Sequence, residues 1–206
     1  MPDVLIATGN AGKLRELRRL TASNPINWLG LDSFPALAPA IESGATFAEN
    51  ARLKALHYAG LTGMRTLADD SGLVVDALDG APGVYSARYA GEPCDDEANN
   101  RKLIARLTGV PRERRSARFE CAIAFAEPGR VLLESSGRVA GLIIDEPRGG
   151  NGFGYDPHFL IERLGHTAAE LSPDEKSAVS HRGQALRQIL PGIESLLLPH
   201  NPPKPP

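Results

Sequence analysis

The stretch that most restricts the fold is the first one in the chain. Val4-Leu5-Ile6-Ala7 is an apolar run of strand length, Thr8-Gly9-Asn10-Ala11-Gly12 interrupts it, and Leu14, Leu17 and Leu20 then recur at helical spacing. A strand feeding a helix needs a sheet to join and a partner surface to cover the helix, so the chain is committed to an α/β architecture. The intervening loop sets backbone N–H groups, a helix N-terminus and Lys13 side by side, a combination able to hold phosphate. It is not a P-loop: two residues rather than four separate its glycines, and Leu14 instead of Ser or Thr follows the lysine. A tight strand-to-helix turn accounts for the same residues as well as phosphate binding does.

Further along, Thr46-x-x-Glu49 is a capping box, with Phe47, Ala51 and Ala55 on the inner face of a helix expected to end near Gly60. Strand pieces are predicted over 66–68 and 73–75, split by the polar Asp69-Asp70-Ser71-Gly72, and a turn at Gly80-Ala81-Pro82-Gly83 follows. A third helix from Asp96 sets Asn100, Leu103, Ile104 and Leu107 on one face and stops before Gly109 and Pro111. Strands over 117–126 and 131–138 form a hairpin through Glu127-Pro128-Gly129, and 142–144 supplies another strand. Four glycines within 148–156 mark a loop, and Ser172-Pro173-Asp174-Glu175 starts a further helix. Residues 1–200 read as one mixed α/β domain without internal repeats, followed by a Pro-rich tail over 201–206 expected to be disordered.

Composition narrows the partners. A net charge of −2 over 206 residues gives no broad positive field, so nucleic acid is not expected and a bound anion must meet locally placed cations. Cys94 and Cys121 sit in unrelated contexts, which suggests reduced thiols rather than a disulfide framework or a zinc site. No apolar run approaches membrane-spanning length, and Asp3 stands where a signal peptide would be basic; a cytoplasmic location is expected.

Several residues can carry chemistry. Adjacent side chains on a strand point to opposite faces, so one of Asp69 and Asp70 should face a site, where a carboxylate can hold magnesium and orient or deprotonate water. Solvated turn residues, with Ser71 as a local cap, are the plainer account. Asn50 and Lys54 lie four apart on one helical stripe, although a lone lysine commonly snorkels to the helix edge. Lys176, His181 and Arg182 offer cations and donors to a triphosphate or a base edge, or else form a solvated helix face. Phe153-Gly154-Tyr155-Asp156 combines aromatics suited to stacking on a nucleobase with a carboxylate, with core packing of Phe153 as the alternative. Arg112-Glu113-Arg114-Arg115 reads as an exposed, mixed-charge loop without function.

Six ordered motifs together resemble the inosine triphosphate pyrophosphatase family, also called the Ham1-like or non-canonical purine NTP pyrophosphatase family. They are Ala7-Thr8-Gly9-Asn10-x-x-Lys13, Thr46-Phe47-x-Glu49-Asn50-Ala51-x-x-Lys54-Ala55, Ala68-Asp69-Asp70-Ser71-Gly72-Leu73, Gly80-Ala81-Pro82-Gly83-x-Tyr85-Ser86-Ala87-Arg88, Gly152-Phe153-Gly154-Tyr155-Asp156-Pro157 and Glu175-Lys176-x-x-x-Ser180-His181-Arg182. The resemblance covers nearly the whole chain. It implies a two-lobed mixed-sheet fold with the active site between the lobes, a homodimer, and Mg²⁺-dependent hydrolysis of ITP, dITP or XTP to the monophosphate and pyrophosphate. It implies Asp70 as proton acceptor and metal ligand. Substrate would be held by Thr8, Gly9, Asn10, Ala11, Gly12, Lys13, Lys54, Ser71, Phe153, Gly154, Tyr155, Asp156, Lys176, His181 and Arg182.

One departure stands out. The resemblance places a second metal-ligating glutamate three residues before Gly44, where this chain has Ile41, with Glu42 adjacent. Either Glu42 takes that role through a change of register, or Asp70, Asp69 or Glu49 hold the ion together with water and phosphate. Two other functions compete. A nucleotide-binding regulatory module would bind ITP without releasing pyrophosphate, and a P-loop kinase or NTPase would release or transfer orthophosphate.

Overall fold

The structure is a computed structural model that describes residues 1–34 and 36–198; the 201–206 tail lies outside the described residues. Its strands are β1 (Asp3–Ile6), β2 (Asn27–Gly30), β3 (Thr66–Val75), β4 (Ser116–Glu127), β5 (Arg130–Ile143), β6 (Phe159–Ile161) and β7 (His166–Thr167). The helices are α1 (Ala11–Thr21), α2 (Phe47–Thr62), α3 (Asp96–Arg106), α4 (Pro173–Val179) and α5 (His181–Leu197). One mixed sheet runs β2-β1-β3-β4-β5-β6-β7, parallel at the β2-β1-β3 end and antiparallel beyond it. No helix among the described residues is long and apolar enough to cross a membrane.

The expected helix starts hold because their caps form. Thr46 and Glu49 make a reciprocal capping box on α2, and Ser172 and Glu175 do the same on α4. Two boundaries differ. α2 continues past Gly60 to Thr62 and stops at Gly63, whose positive φ of 71° supplies the left-handed cap. The segment over 142–144 is not a separate strand, since β5 runs on to Ile143.

The larger correction concerns β3. It is one unbroken strand of ten residues, all paired with β4 from Thr66↔Ala126 to Val75↔Ala117, with Asp69 and Asp70 in the middle. Its alternation decides where each side chain goes. Odd positions face α1 and α5, where Leu67 packs with Leu17 and Leu186; even positions face α2, where Ala68 packs with Ala51 and Ala55. Further along β3, Leu73 and Val75 belong to a separate cluster with Leu103, Phe119 and Phe159. The first two clusters, on opposite faces of the sheet, make one lobe and the third makes the other, with the middle of β3 between them.

Arg115 also departs from expectation. Instead of an exposed loop residue it is 7% exposed, its guanidinium donating to the Val110 and Leu107 carbonyls and pairing with Asp145. It closes the polar end of α3 against β4, a structural task.

Candidate active site

The loop from β1 to α1 is organised by its own side chains. Asn10 caps α1 by accepting from the Lys13 amide at 3.0 Å, and Thr8 Oγ1 accepts from the Asn10 amide at 3.2 Å. That geometry turns Lys13 toward β3, its ammonium 3.4 Å from Asp69 and 4.0 Å from Asp70. Gly9 has open space around it, so a group could lie against its backbone. Gly12 is required by contact: a Cβ there would stand 2.6 Å from the Phe153 ring. Thr8 through Lys13 and the Phe153 loop thus meet.

Asp70, on the even face of β3, points at α2. Asn50 Nδ2 donates to its Oδ2 and Lys54 Nζ to its Oδ1, both at 3.2 Å, so the stripe of Asn50 and Lys54 is directed at one carboxylate. Lys54 also donates to Glu42 at 3.0 Å. Burial pushes the Asp70 carboxyl above its usual range; Lys54 and Lys13 oppose the shift, and Glu42 and Asp69 add to it. For Lys54, burial favours loss of the proton, but Asp70, Asp69 and Glu42 outweigh it and raise its pKa. Among the alternatives at the departure from the family pattern, Ile41 is 82% exposed and Glu42 turns inward. Glu49 is occupied at the cap, where it accepts from the Ala45 and Thr46 amides.

Asp69, on the odd face, is fully buried against α5. Its Oδ2 receives Arg182 Nε at 3.2 Å, Arg182 Nη2 at 3.1 Å and the Ser71 hydroxyl at 3.2 Å. Burial alone would raise its pKa, yet Lys13, Arg182 and Lys54 together hold it well below the usual carboxylate range. Arg182, 1% exposed, also donates to Ser71 Oγ at 2.7 Å and pairs with Glu16. Glu16 in turn meets Lys176 at 2.7 Å, and Lys176 pairs with Asp156. Sequence motifs do not single out Glu16, although its place three residues after Lys13 puts it on the same helical face.

This chain of charges changes what several predicted residues can do. Asp156 is buried and accepts from the Phe153 amide at 2.8 Å, so it shapes the loop rather than presenting a free carboxylate. Tyr155 is 5% exposed and its hydroxyl donates to the Ser86 carbonyl at 2.8 Å, which makes it a wall and not a stacking ring. Phe153 is the half-buried aromatic, with Lys176 Nζ 5.0 Å and Arg182 Cζ 5.9 Å from its centroid. Gly154, at φ 62°, lets the chain turn between them.

A narrow cavity of about 60 Å³ is lined by Asn10, Lys13, Ser71, Phe153, Lys176 and His181 among others; Asp70 and Lys54 do not line it and reach it only through Lys13. His181 stacks on Phe119 at 5.0 Å, and its Nδ1 is buried without a hydrogen-bond partner among the described residues. Burial first, and then the nearby Arg182 and Lys176, keep this imidazole neutral by lowering its pKa well below 6.5. A larger groove of about 950 Å³, beside Tyr85 and Arg118, contains none of the predicted site residues. Its Arg118 is already paired with Asp76 and Glu120, so the smaller cavity has the better claim to chemistry.

Comparison with known proteins decides the family. The Ham1 family model matches residues 4–191. The chain belongs to the Ham1 family. Among relatives of this Ham1 chain, the dITP/XTP pyrophosphatase of Geobacter sulfurreducens is 53% identical, covering 90% of this chain and 94% of the relative. That of Shigella flexneri is 48% identical over 95% of this chain and all of its own length. A HAM1 protein from Coxiella burnetii has the same fold, with a TM-score of 0.84 at 42% identity over 95% and 100% of the two chains.

Proposed function

We propose that this chain hydrolyses the non-canonical purine nucleoside triphosphates dITP, ITP and XTP to the monophosphate and pyrophosphate, using a magnesium ion. The reading rests on the convergence at Asp70. Lys13 from α1 and Lys54 from α2 bracket a buried carboxylate, and Lys13 also lines the slot beside Phe153. Cations for phosphates, a carboxylate for water and a slot for a ring are the parts that cleavage at the α-phosphorus needs. The names of the Geobacter sulfurreducens and Shigella flexneri relatives support the substrate class.

The donor set suits a divalent ion. Asp70 and Glu42 direct carboxylate oxygens to a common centre, now marked by Lys54 Nζ at 3.2 and 3.0 Å. Among the described residues no three acidic, His or Cys side chains form a closed cluster. Magnesium accepts such an open site because it takes its remaining ligands from water and phosphate. Held by Asp70 and Glu42, it would supply charge neutralisation at the phosphoryl oxygens. Lys13 and Lys54 bind and orient the triphosphate. Asp70 takes the proton of the attacking water, and its raised pKa makes it a stronger base than an exposed aspartate.

At the other end Phe153 stacks on the base. Arg182 is committed to Asp69, Glu16 and Ser71, so His181 Nδ1 is the group free to meet the base edge. As a donor to a 6-oxo oxygen it would reject adenine, whose 6-amino group would leave two donors facing each other.

Pyrophosphate release from XTP, dITP, ITP, ATP and GTP in the presence of Mg²⁺ tests the reading. Release from the first three and little from ATP is expected; the 6-oxo contact does not separate GTP from them, so its rate reports whether the 2-amino group is excluded. Orthophosphate as product would overturn it, and tight binding of XTP without release would favour the regulatory module. The proposal extends to one catalytic domain over 1–200, a cytoplasmic location and a homodimer; sedimentation as a monomer would remove the last.

A further inference from the structure

Every part of the Phe153 platform so far described is held from the α4 side, through Asp156 and Lys176. A second grip comes from α3. Asp96 Oδ2 accepts from the Gly154 amide at 2.7 Å, and Asn100 Nδ2 donates to the Gly154 carbonyl at 2.9 Å. Asp96 and Asn100 lie one helical turn apart, so both polar groups of a single glycine are gripped by one helix face. Gly154 directly follows Phe153 and has no side chain to fix its own conformation.

Asn100 is otherwise an odd choice for this face. It shares the stripe of Leu103 and Ile104, which pack into the core of that lobe, and its Oδ1 is buried without a partner among the described residues. An apolar residue there would avoid the cost of that orphan oxygen. Asp96 is exposed, yet it lines the same cavity as Lys13 and His181.

We infer that Asp96 and Asn100 are positioning residues for nucleobase binding: their grip on Gly154 sets the height of the Phe153 ring above the slot. The inference builds on the proposed function, which makes that ring the base platform. Neither residue hydrogen-bonds or pairs with Lys13, Lys54 or Asp70. Loosening the grip therefore weakens recognition of the base and leaves recognition of the phosphates alone.

Asp96→Ala, Asn100→Ala and the double variant test this by equilibrium titration of XTP, and of inorganic triphosphate, which has the phosphates and no base. Each single variant is expected to weaken XTP binding roughly three- to tenfold, the scale of one lost hydrogen bond, with inorganic triphosphate unchanged within about twofold. Asp96→Asn keeps an acceptor oxygen and should restore XTP affinity. Equal losses for both probes, or unaltered XTP affinity in the folded double variant, would overturn the inference. Hydrolysis by the unmodified chain is measured separately. Absence of turnover would count against the enzyme reading, while the two titrations still judge the grip.

Discussion

Replacing Asp70 with Asn should move stability and activity in opposite directions. Asp70 is 8% exposed at its side chain and lies within 3.2 Å of Lys54 and 4.0 Å of Lys13. Even so, its pKa is raised, because burial outweighs the lysines and the neighbouring carboxylates of Glu42 and Asp69 repel its charge. A carboxyl whose folded pKa exceeds its unfolded value of 3.8 binds more protons in the folded state. Its contribution is then fully present below 3.8 and is lost as pH rises through the folded pKa, so at neutral pH the ionised group costs stability. A tenfold tightening of proton binding on folding corresponds to about 1.4 kcal/mol, and for a chain of this length about 1 kcal/mol moves the melting temperature by roughly 2–4 °C. The neutral amide removes that cost, and a melting temperature equal to or a few degrees above the parent is expected.

Activity should collapse. Loss of a general base alone costs about 10²–10⁴ in rate, and the same substitution removes a proposed metal ligand, so kcat for XTP should fall by at least about 10³. Thermal unfolding at neutral pH and pyrophosphate release measured on the same preparation give both numbers. A melting temperature several degrees lower would mean that the lysine contacts outweigh burial. A near-parental rate would remove Asp70 from the chemistry.

Three further outcomes follow from the same contacts. Glu42→Gln should raise the Mg²⁺ concentration for half-maximal rate by at least about tenfold, the scale of a lost charge-assisted contact; an unchanged Mg²⁺ dependence would take Glu42 out of the ligand set. Gly12→Ala should gain up to about 1 kcal/mol in helix propensity while forcing its Cβ against the Phe153 ring, an overpacking that costs about 1–3 kcal/mol. The KM for XTP should therefore rise more than kcat falls, and an unaffected KM would show that the ring is not where the base docks. His181 has its folded pKa lowered below 6.5, so its contribution is present above pH 6.5 and is lost as pH falls below that value. Denaturant titrations from pH 7.5 to 5 should show less loss of stability in His181→Gln than in the parent, and parallel curves would refute the assignment.

Local rules made much of the fold legible. Capping boxes placed the starts of α2 and α4, the leucine spacing placed α1, and Glu127-Pro128-Gly129 placed the turn from β4 to β5. What stayed hidden depended on distant partners. Asp69-Asp70-Ser71-Gly72 reads as a break in β3 because two carboxylates do not belong in a buried strand without compensation. Compensation comes from Lys13, Lys54 and Arg182, which stand on α1, α2 and α5, and no local pattern announces it. Ser180 is likewise the end of α4 and the cap of α5 at once, so the helix expected from Ser172 becomes two.

The site shows the same division more sharply. Residue spacing and the family resemblance together named most groups lining the cleft, though not Asp96 or Phe119, and did not say which of them are free to act. In the sequence, Lys176 and Arg182 read as cations offered to a triphosphate or a base edge, and Asp156 as a carboxylate in the aromatic loop. In the fold, Glu16 links Arg182 to Lys176, Lys176 reaches Asp156, and Asp156 fixes the Phe153 amide. Removing one member of such a buried chain leaves its neighbour charged and unpaired, typically at a cost of about 3–5 kcal/mol. Loss of activity in an Arg182 or Asp156 variant would thus report a collapsed support and not a lost substrate contact. His181 differs in kind: its Nδ1 is buried without a partner among the described residues, and such an atom is where a ligand has something to gain, whereas Asp70 and Glu42 can exchange their shared contact with Lys54 for a metal ion.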